Sequence, residues 1–256
     1  MRALVTGAGA RLGAAMARAL GDAGHDIALH YGTDASGAEA GAAAIRATGR
    51  RAAALGADLL DLDACGALVG RAAAALDGPV EVLVNNASTF ERDEIDTATA
   101  AGWDRNLGVN LRAPFLLTQA FAAQAPEAGS DGEPLATGVI VNVIDQRVQK
   151  LTPHFMTYTL AKSALWTLTQ TSAQALAPRI RVNAIGPGPT LKAARQSEAH
   201  FAAQRAGTPL GRGADVDDVC GALLYLVGAK AVTGQLICVD GGQHLGWRTP
   251  DVVGPR

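Results

Sequence analysis

The chain has 256 residues, is 48% hydrophobic and carries a net charge of −2. That length and apolar share suit one large α/β domain. The scattered charges, with no basic stripe, argue against a nucleic-acid partner or a polybasic membrane contact, and no apolar run approaches the ~20 residues of a bilayer span.

In chain order, short β-branched runs alternate with alanine-rich segments. Strands are expected at 2–6, 26–31, 51–58, 80–86, 138–144, 180–185 and 235–240. Helices are expected near 11–23, 36–48, 61–76, 99–124, 155–176 and 215–228. This alternation predicts a single Rossmann-type, doubly wound domain, with a seven-stranded parallel sheet and helices on both faces. Nearly continuous apolar strands fit a sheet covered on both sides. Two stretches break the rhythm: a turn-rich loop at 124–138, and 186–213, a Gly/Pro turn with a short helix that is the candidate lid. Met1 runs straight into "RALVTGAGA", with no apolar leader. Cys65, Cys220 and Cys238 are odd in number and widely spaced, and read as free thiols of a reducing cytoplasm. The five histidines show no ligand spacing, so no metal is expected.

"VTGAGARLG" follows the first strand and opens the first helix. Gly7, Gly9 and Gly13 allow a tight turn, a close approach to a pyrophosphate and close helix–sheet packing. Arg11 in the first helical turn opposes the helix dipole by ~0.3–1 kcal/mol, a cost that a bound anion offsets. The second strand ends in "LHYGTDAS", with no acid at its tip to take a ribose 2′-hydroxyl. A nearby arginine suits a 2′-phosphate, so NADPH is favoured over NADH. Thr33 and Ser36 are candidate phosphate donors; Asp34, a displaced acid able to reach the ribose, is the counter-signal.

Tyr158 and Lys162 stand four apart on one helix face. A free tyrosine, with a pKa near ~10, is a poor acid–base at neutral pH, and a neighbouring ammonium should lower that value. Such a tyrosine can exchange a proton with substrate while hydride moves to or from a nicotinamide.

These features carry a resemblance to the short-chain dehydrogenase/reductase family over essentially the whole chain. It rests on "TGAGARLG", "NNAS" at 85–88, Asn110 in "LGVNLRAPF", "YTLAK" at 158–162, "RVNAIGPG" at 181–188 and "VTGQLICVDGG" at 232–242. The resemblance implies cofactor contacts from Leu12, His30, Tyr31, Asn85, Ala87, Pro187 and Gly188, with Asp58 and Leu59 cradling the adenine. It further implies that Lys162 holds the nicotinamide ribose and that Asn110 supports a water chain to Lys162. Paired helices would then form a homotetramer, and the C-terminal "DGGQHLGWRTPDVVGPR" would be placed to reach a neighbouring subunit.

The family usually has a serine about thirteen residues before the tyrosine; here position 145 is Asp, and no serine occurs from 131 to 157. An ionised carboxylate repels a developing alkoxide, where donors should face the oxygen. It fits reduction of a C=N bond, whose nitrogen must gain a proton. The alternative is an acid without a role in a damaged site. The pteridine reductases and bacterial dihydromonapterin reductases are similar in their turn arginine, in this aspartate, in "LHY", and in "NNAS" followed by an aromatic. That likeness implies that Ser88 contacts a pterin, that Phe90 stacks on it against the nicotinamide, that Arg11 serves cofactor phosphate and substrate, and that Asp145 and Tyr158 form the proton relay. Without it, Phe90 reads equally as a loop aromatic packed on the sheet edge. Three functions remain in view: a pterin reductase, an NADP-dependent enzyme of another small carbonyl, alcohol or imine, and a cofactor-binding sensor without turnover. The intact Tyr158–Lys162 pair argues against the last.

Overall fold

The computed structural model describes residues 1–193 and 196–248. In chain order the elements are β1 (Arg2–Val5), α1 (Arg11–Asp22), β2 (Asp26–Tyr31), α2 (Ser36–Arg46), β3 (Ala52–Gly56), α3 (Leu62–Ala75) and β4 (Val82–Asn85). They continue with α4 (Ala100–Leu107), α5 (Ala113–Gln124), β5 (Gly129–Ser130), β6 (Pro134–Leu135), β7 (Gly138–Val143) and α6 (Met156–Leu176). β8 (Ile180–Pro187), α7 (Glu198–Ala206), α8 (Val216–Gly228) and β9 (Leu236–Val239) complete them. Seven strands form one parallel sheet in the order β3-β2-β1-β4-β7-β8-β9. The order reverses between β1 and β4, and the crevice outside the carboxyl ends there is where such sheets bind ligands.

Strand alternation sorts the core into two layers. Ala3, Val5, Ile27, Leu29, Val82 and Val84 pack on one face with Met16, Leu20, Leu223 and Leu226. Leu4, Ala28, Leu83 and Ile140 face the other way, onto Leu68, Leu117 and Phe121. β7 is buried along its whole length, as a strand covered on both faces must be.

The expected elements are all present, with local differences. The helix expected at 99–124 is divided by a π-helical turn, Gly108–Arg112, between α4 and α5. Such turns cluster at functional sites, and this one carries Asn110. The 124–138 loop holds the small antiparallel hairpin of β5 and β6. The lid segment carries α7, whose N-cap Ser197 accepts from the His200 amide; residues 194–195 of that segment lie outside the described residues. So does the end of the C-terminal stretch expected at a neighbouring subunit.

From β8, the buried Arg181 guanidinium donates to the Leu226 and Val227 carbonyls at the end of α8 (both 2.8 Å), where a helix presents unpaired acceptors and negative potential. The three cysteines are free, and burial pushes the Cys65 and Cys238 thiols up to about 11. Among the described residues no helix is long and apolar enough to cross a membrane, and no cluster of His, Cys, Asp or Glu has the makings of a metal site.

Candidate active site

The glycine turn packs as its residue types require. Gly7 has φ +63°, and a Cβ there would lie 2.9 Å from the Cα of Ala87; at Gly13 it would lie 2.2 Å from the Gly7 oxygen. Gly37, which the sequence reading passed over, is as constrained: its Cβ would fall 1.8 Å from the Gly9 oxygen. Thr6 joins this turn to the next strand end. Its hydroxyl accepts from the amides of Asn86 and Ala87 (2.9 and 3.0 Å), while Asn86 Nδ2 donates to the Thr6 and Gly7 carbonyls.

The cradle fits a dinucleotide. The N-cap of α1, Ala10, offers no side-chain acceptor, and no acid stands in the first turn, so the helix dipole there has no protein anion to meet it. Asn85 donates to Asn142 Oδ1 (2.8 Å), and its own Oδ1 is buried without a partner. Asp58 and Leu59 follow β3 at the same edge of the sheet, where Asp58 accepts from the Leu60 amide (2.9 Å).

Four expected cofactor residues, His30, Tyr31, Ser36 and Arg11, also have partners within the protein. His30 lies beneath the turn, 2% exposed. Its Nδ1 accepts from the Gly7 amide (3.1 Å) and its Nε2 faces the Ala57 carbonyl (3.0 Å). Both nitrogens are engaged by the backbone, so His30 helps to position the turn, and burial lowers its pKa below the ordinary value. Tyr31 packs its ring against Gly56, whose Cβ would lie 2.9 Å from Cζ. The Ser36 amide donates to Asp34 (2.9 Å), and its hydroxyl also turns to that carboxylate, which lowers the Asp34 pKa. Asp34 thus engages Ser36 at the place where a phosphate contact is expected. Arg11 adopts φ +53°, and its guanidinium donates to the Leu191 and Lys192 carbonyls (3.3 and 3.0 Å), bridging the turn to the lid.

The expected catalytic side chains converge at the ends of β7 and β4. The Tyr158 hydroxyl donates to Asp145 Oδ2 (3.2 Å), and Asp145 Oδ1 accepts from the Arg147 amide (2.7 Å). Lys162 Nζ donates to the Val143 carbonyl (2.8 Å) and stands 5.7 Å from the Tyr158 ring centroid. Burial raises the Asp145 pKa and lowers that of Lys162 to about 8. The expected depression of Tyr158 does not occur: burial first, and then the Asp145 charge, push its phenol well above its ordinary value. A phenol that holds its proton beside a carboxyl inclined to take one is an acid with a built-in source of replacement.

A cavity of about 200 Å³ opens over this pair, with walls that include Phe90, Arg147, Pro187, Gly188, Leu191 and Phe201. Pro187 and Gly188, expected as cofactor contacts, thus line this cavity. Phe90 stacks on Phe155 (centroids 4.3 Å apart, planes within 3°) and meets Tyr158 edge-on at 4.8 Å. Arg147 covers the Phe155 ring at 5.0 Å. The sequence reading missed Phe155, whose left-handed backbone, φ +57°, carries its ring to Phe90. Phe90 is 47% exposed, so an aromatic surface remains for a flat ligand. Asn110 donates to the Thr89 carbonyl and hydroxyl (3.1 and 3.0 Å) and accepts from the Ser88 hydroxyl (2.7 Å), so its direct partners are on the β4 loop.

Residues 7–244 match a family model described as enoyl-(acyl carrier protein) reductase, a model of short-chain enzymes. The chain belongs to the short-chain dehydrogenase/reductase family. Within this family it is similar to the FolM alternative dihydrofolate reductase 1 of Brucella suis, crystallised with NADP. That match has a TM-score of 0.90 and 42% identity, over 98% of this chain and 97% of that one. Pteridine reductase 1 of Leishmania tarentolae is 31% identical, over 95% of this chain and 96% of its own length. D-erythrulose reductase of Gallus gallus is 35% identical, over 94% of each. These likenesses place the chain with the pteridine reductase-like members of the short-chain dehydrogenases and identify it as an oxidoreductase. Sequence identity alone does not separate pterin from carbonyl substrates, since the pteridine and erythrulose enzymes are alike in it; the site chemistry must.

Proposed function

We propose that the protein is an NADPH-dependent reductase of a pterin, a dihydropterin such as dihydromonapterin or dihydrobiopterin. The observation that carries this reading is the Tyr158–Asp145 hydrogen bond beneath an aromatic-walled cavity. The NADP-bound FolM structure and the pteridine reductase support the same cofactor and substrate class.

NADPH, when bound, supplies the hydride. Gly7, Gly9, Leu12, Gly13, Asn85 and Ala87 would hold it at the carboxyl edge of the sheet. Phe90 orients a flat ring. Tyr158 gives its phenolic proton to the ring nitrogen being reduced, and the Asp145 carboxylate, which accepts from the phenol at 3.2 Å and whose pKa burial raises, relays the replacement proton from solvent. The Lys162 ammonium opposes the negative charge that then appears on Tyr158. A carbonyl substrate would instead leave an alkoxide facing the Asp145 carboxylate, an unfavourable pairing.

The test is NADPH consumption with a dihydropterin, together with chromatographic identification of the tetrahydro product. Stoichiometric product supports the reading; no turnover of any pterin beside good turnover of a ketone overturns it. As part of the same proposal, the protein works as a cytoplasmic homotetramer. Exposed Trp103 and Phe115 flank a groove with Leu107, Leu111 and Leu168, an apolar surface suited to a second copy.

A further inference from the structure

α6 carries Tyr158 and Lys162, yet its own sequence does not close its N-terminus. The N-cap residue, Phe155, has no side chain able to accept a hydrogen bond, and its backbone is left-handed (φ +57°). Helices ordinarily place Ser, Thr, Asp or Asn there, because the first backbone N–H groups have no partner within the helix. Here the acceptors come from one residue on the loop after β4. The Asp93 carbonyl accepts from the Phe155 and Met156 amides (2.8 and 3.4 Å). The Asp93 carboxylate accepts from the Thr157 amide (3.2 Å) and from the Thr157 hydroxyl. Thr157 is 2% exposed, so water does not compete for these bonds. The Thr157 oxygen also receives Asn106 Nδ2 from α4 (2.8 Å), and the Thr89 hydroxyl donates to Asn106 Oδ1 (2.7 Å), which ties the same loop to α6 a second time. A left-handed phenylalanine persists only where its surroundings hold it; the Asp93 carbonyl and the stacked Phe90 ring do so.

Asp93 follows Phe90 closely in the loop, and its partner Thr157 directly precedes Tyr158. The loop therefore meets the start of α6 at two points. Phe90 lies on the Phe155 ring and 4.8 Å from the Tyr158 ring, while Asp93 holds the backbone from Phe155 to Thr157. The next residue, Glu94, turns outward instead, to half-exposed His154 (2.8 Å) and to Arg92 (3.0 Å). We propose that Asp93 is a positioning residue for proton transfer: it clamps the Phe90 loop to the first turn of α6 and so sets the ring that orients the substrate against the phenol that protonates it. This inference rests on the pterin reading, in which Phe90 bears the substrate, and deepens it by naming what holds the two rings in register. Reacting groups must be within about 3–3.5 Å and aligned, so a loosened clamp acts on the chemical step.

The test follows dihydropterin reduction by wild type, Asp93→Ala and Asp93→Asn, each well below its melting temperature, in water and in heavy water. Asp93→Ala leaves the loop held by the backbone carbonyl without the side chain. It should lower kcat by about ten- to a hundredfold, the scale on which a small misplacement of reacting groups acts. It should also raise the solvent isotope effect, because proton transfer then limits turnover, while the NADPH dissociation constant holds. Asp93→Asn keeps an acceptor for the Thr157 amide and should recover most of the rate. Glu94→Gln, at the exposed His154 contact, should stay within about twofold of wild type in both readouts. If Asp93→Ala does not fold, Thr157→Val, which deletes the hydroxyl bonded to Asp93, takes its place and should show the same rise in isotope effect. A lowered melting temperature with kcat and isotope effect unchanged would mean a purely structural cap. That result, or a loss in Glu94→Gln equal to that in Asp93→Ala, overturns this inference and spares the pterin reading. Absence of pterin turnover in the wild type overturns both.

Discussion

His30 offers a prediction that joins stability to cofactor binding. The neutral ring serves two backbone groups at once: Nδ1 takes the Gly7 N–H and Nε2–H serves the Ala57 carbonyl. Protonation would put an N–H where Gly7 needs an acceptor, leaving two donors 3.1 Å apart and a charge in a site only 2% exposed. Arg71 is the charged neighbour that acts on the ring, and it too disfavours the cation. Since the folded-state pKa lies below the ordinary 6.5, the unfolded chain takes the proton first. The contribution is therefore complete above pH 6.5 and is lost as pH falls from there toward the lowered folded value. Each unit of that window costs about 1.4 kcal/mol. His30→Leu removes both bonds at any pH; leaving buried partners unpaired costs about 1–3 kcal/mol for each. His30→Asn places an oxygen near the Nδ1 position and does not titrate, so it should keep part of the turn and flatten the pH dependence. Melting temperature and NADPH affinity, measured together from pH 7 down to about 5, test this. If His30→Asn shows the wild-type slope, or His30→Leu binds NADPH as tightly as wild type, the positioning role is wrong.

Other expectations follow from the site. Tyr158→Phe keeps the ring beside Phe90 and loses the proton, so kcat should fall by ~10²–10⁴ with NADPH binding retained; full activity would point to another acid. Lys162, with its pKa lowered to about 8, carries its charge below that pH and loses it above. Turnover should therefore decline as pH rises through about 8, and Lys162→Arg, which stays charged, should move the decline upward; a pH–rate profile in which the two enzymes coincide would contradict this. Asp34→Ser removes the carboxylate that engages Ser36. It should raise the NADPH-over-NADH preference in kcat/KM about two- to fivefold, the scale of an exposed charge interaction; an unchanged ratio would show that Asp34 does not face the 2′ position.

Most strands were legible as short runs with β-branched residues between alanine-rich helices, β3 (Ala52–Gly56) being the exception with none, and the Tyr158–Lys162 pair because spacing of four survives any detail of packing. Asp145 stood out by chemistry: an acid where the fold usually supplies a hydroxyl. What escaped notice depends on groups distant along the chain. Arg11 meets a carbonyl 181 residues away, and His30 meets partners 23 and 27 residues away. The Phe90–Phe155 stack needs one residue in a left-handed conformation, which no phenylalanine advertises. The rise in the Tyr158 pKa was hidden because it comes from burial and from which neighbour lies nearer its oxygen, neither of which spacing reveals. The π turn at Gly108–Arg112 looks in sequence like ordinary helix.

The central claim is that Asp145 makes this a site for protonating nitrogen. Its most direct test is a two-by-two comparison: wild type and Asp145→Ser, each assayed for NADPH oxidation with a dihydropterin and with a small ketone. Wild type should favour the dihydropterin, and Asp145→Ser, with the family's usual hydroxyl in place, should lose pterin turnover while ketone turnover rises. Equal pterin turnover by the two enzymes would contradict the account.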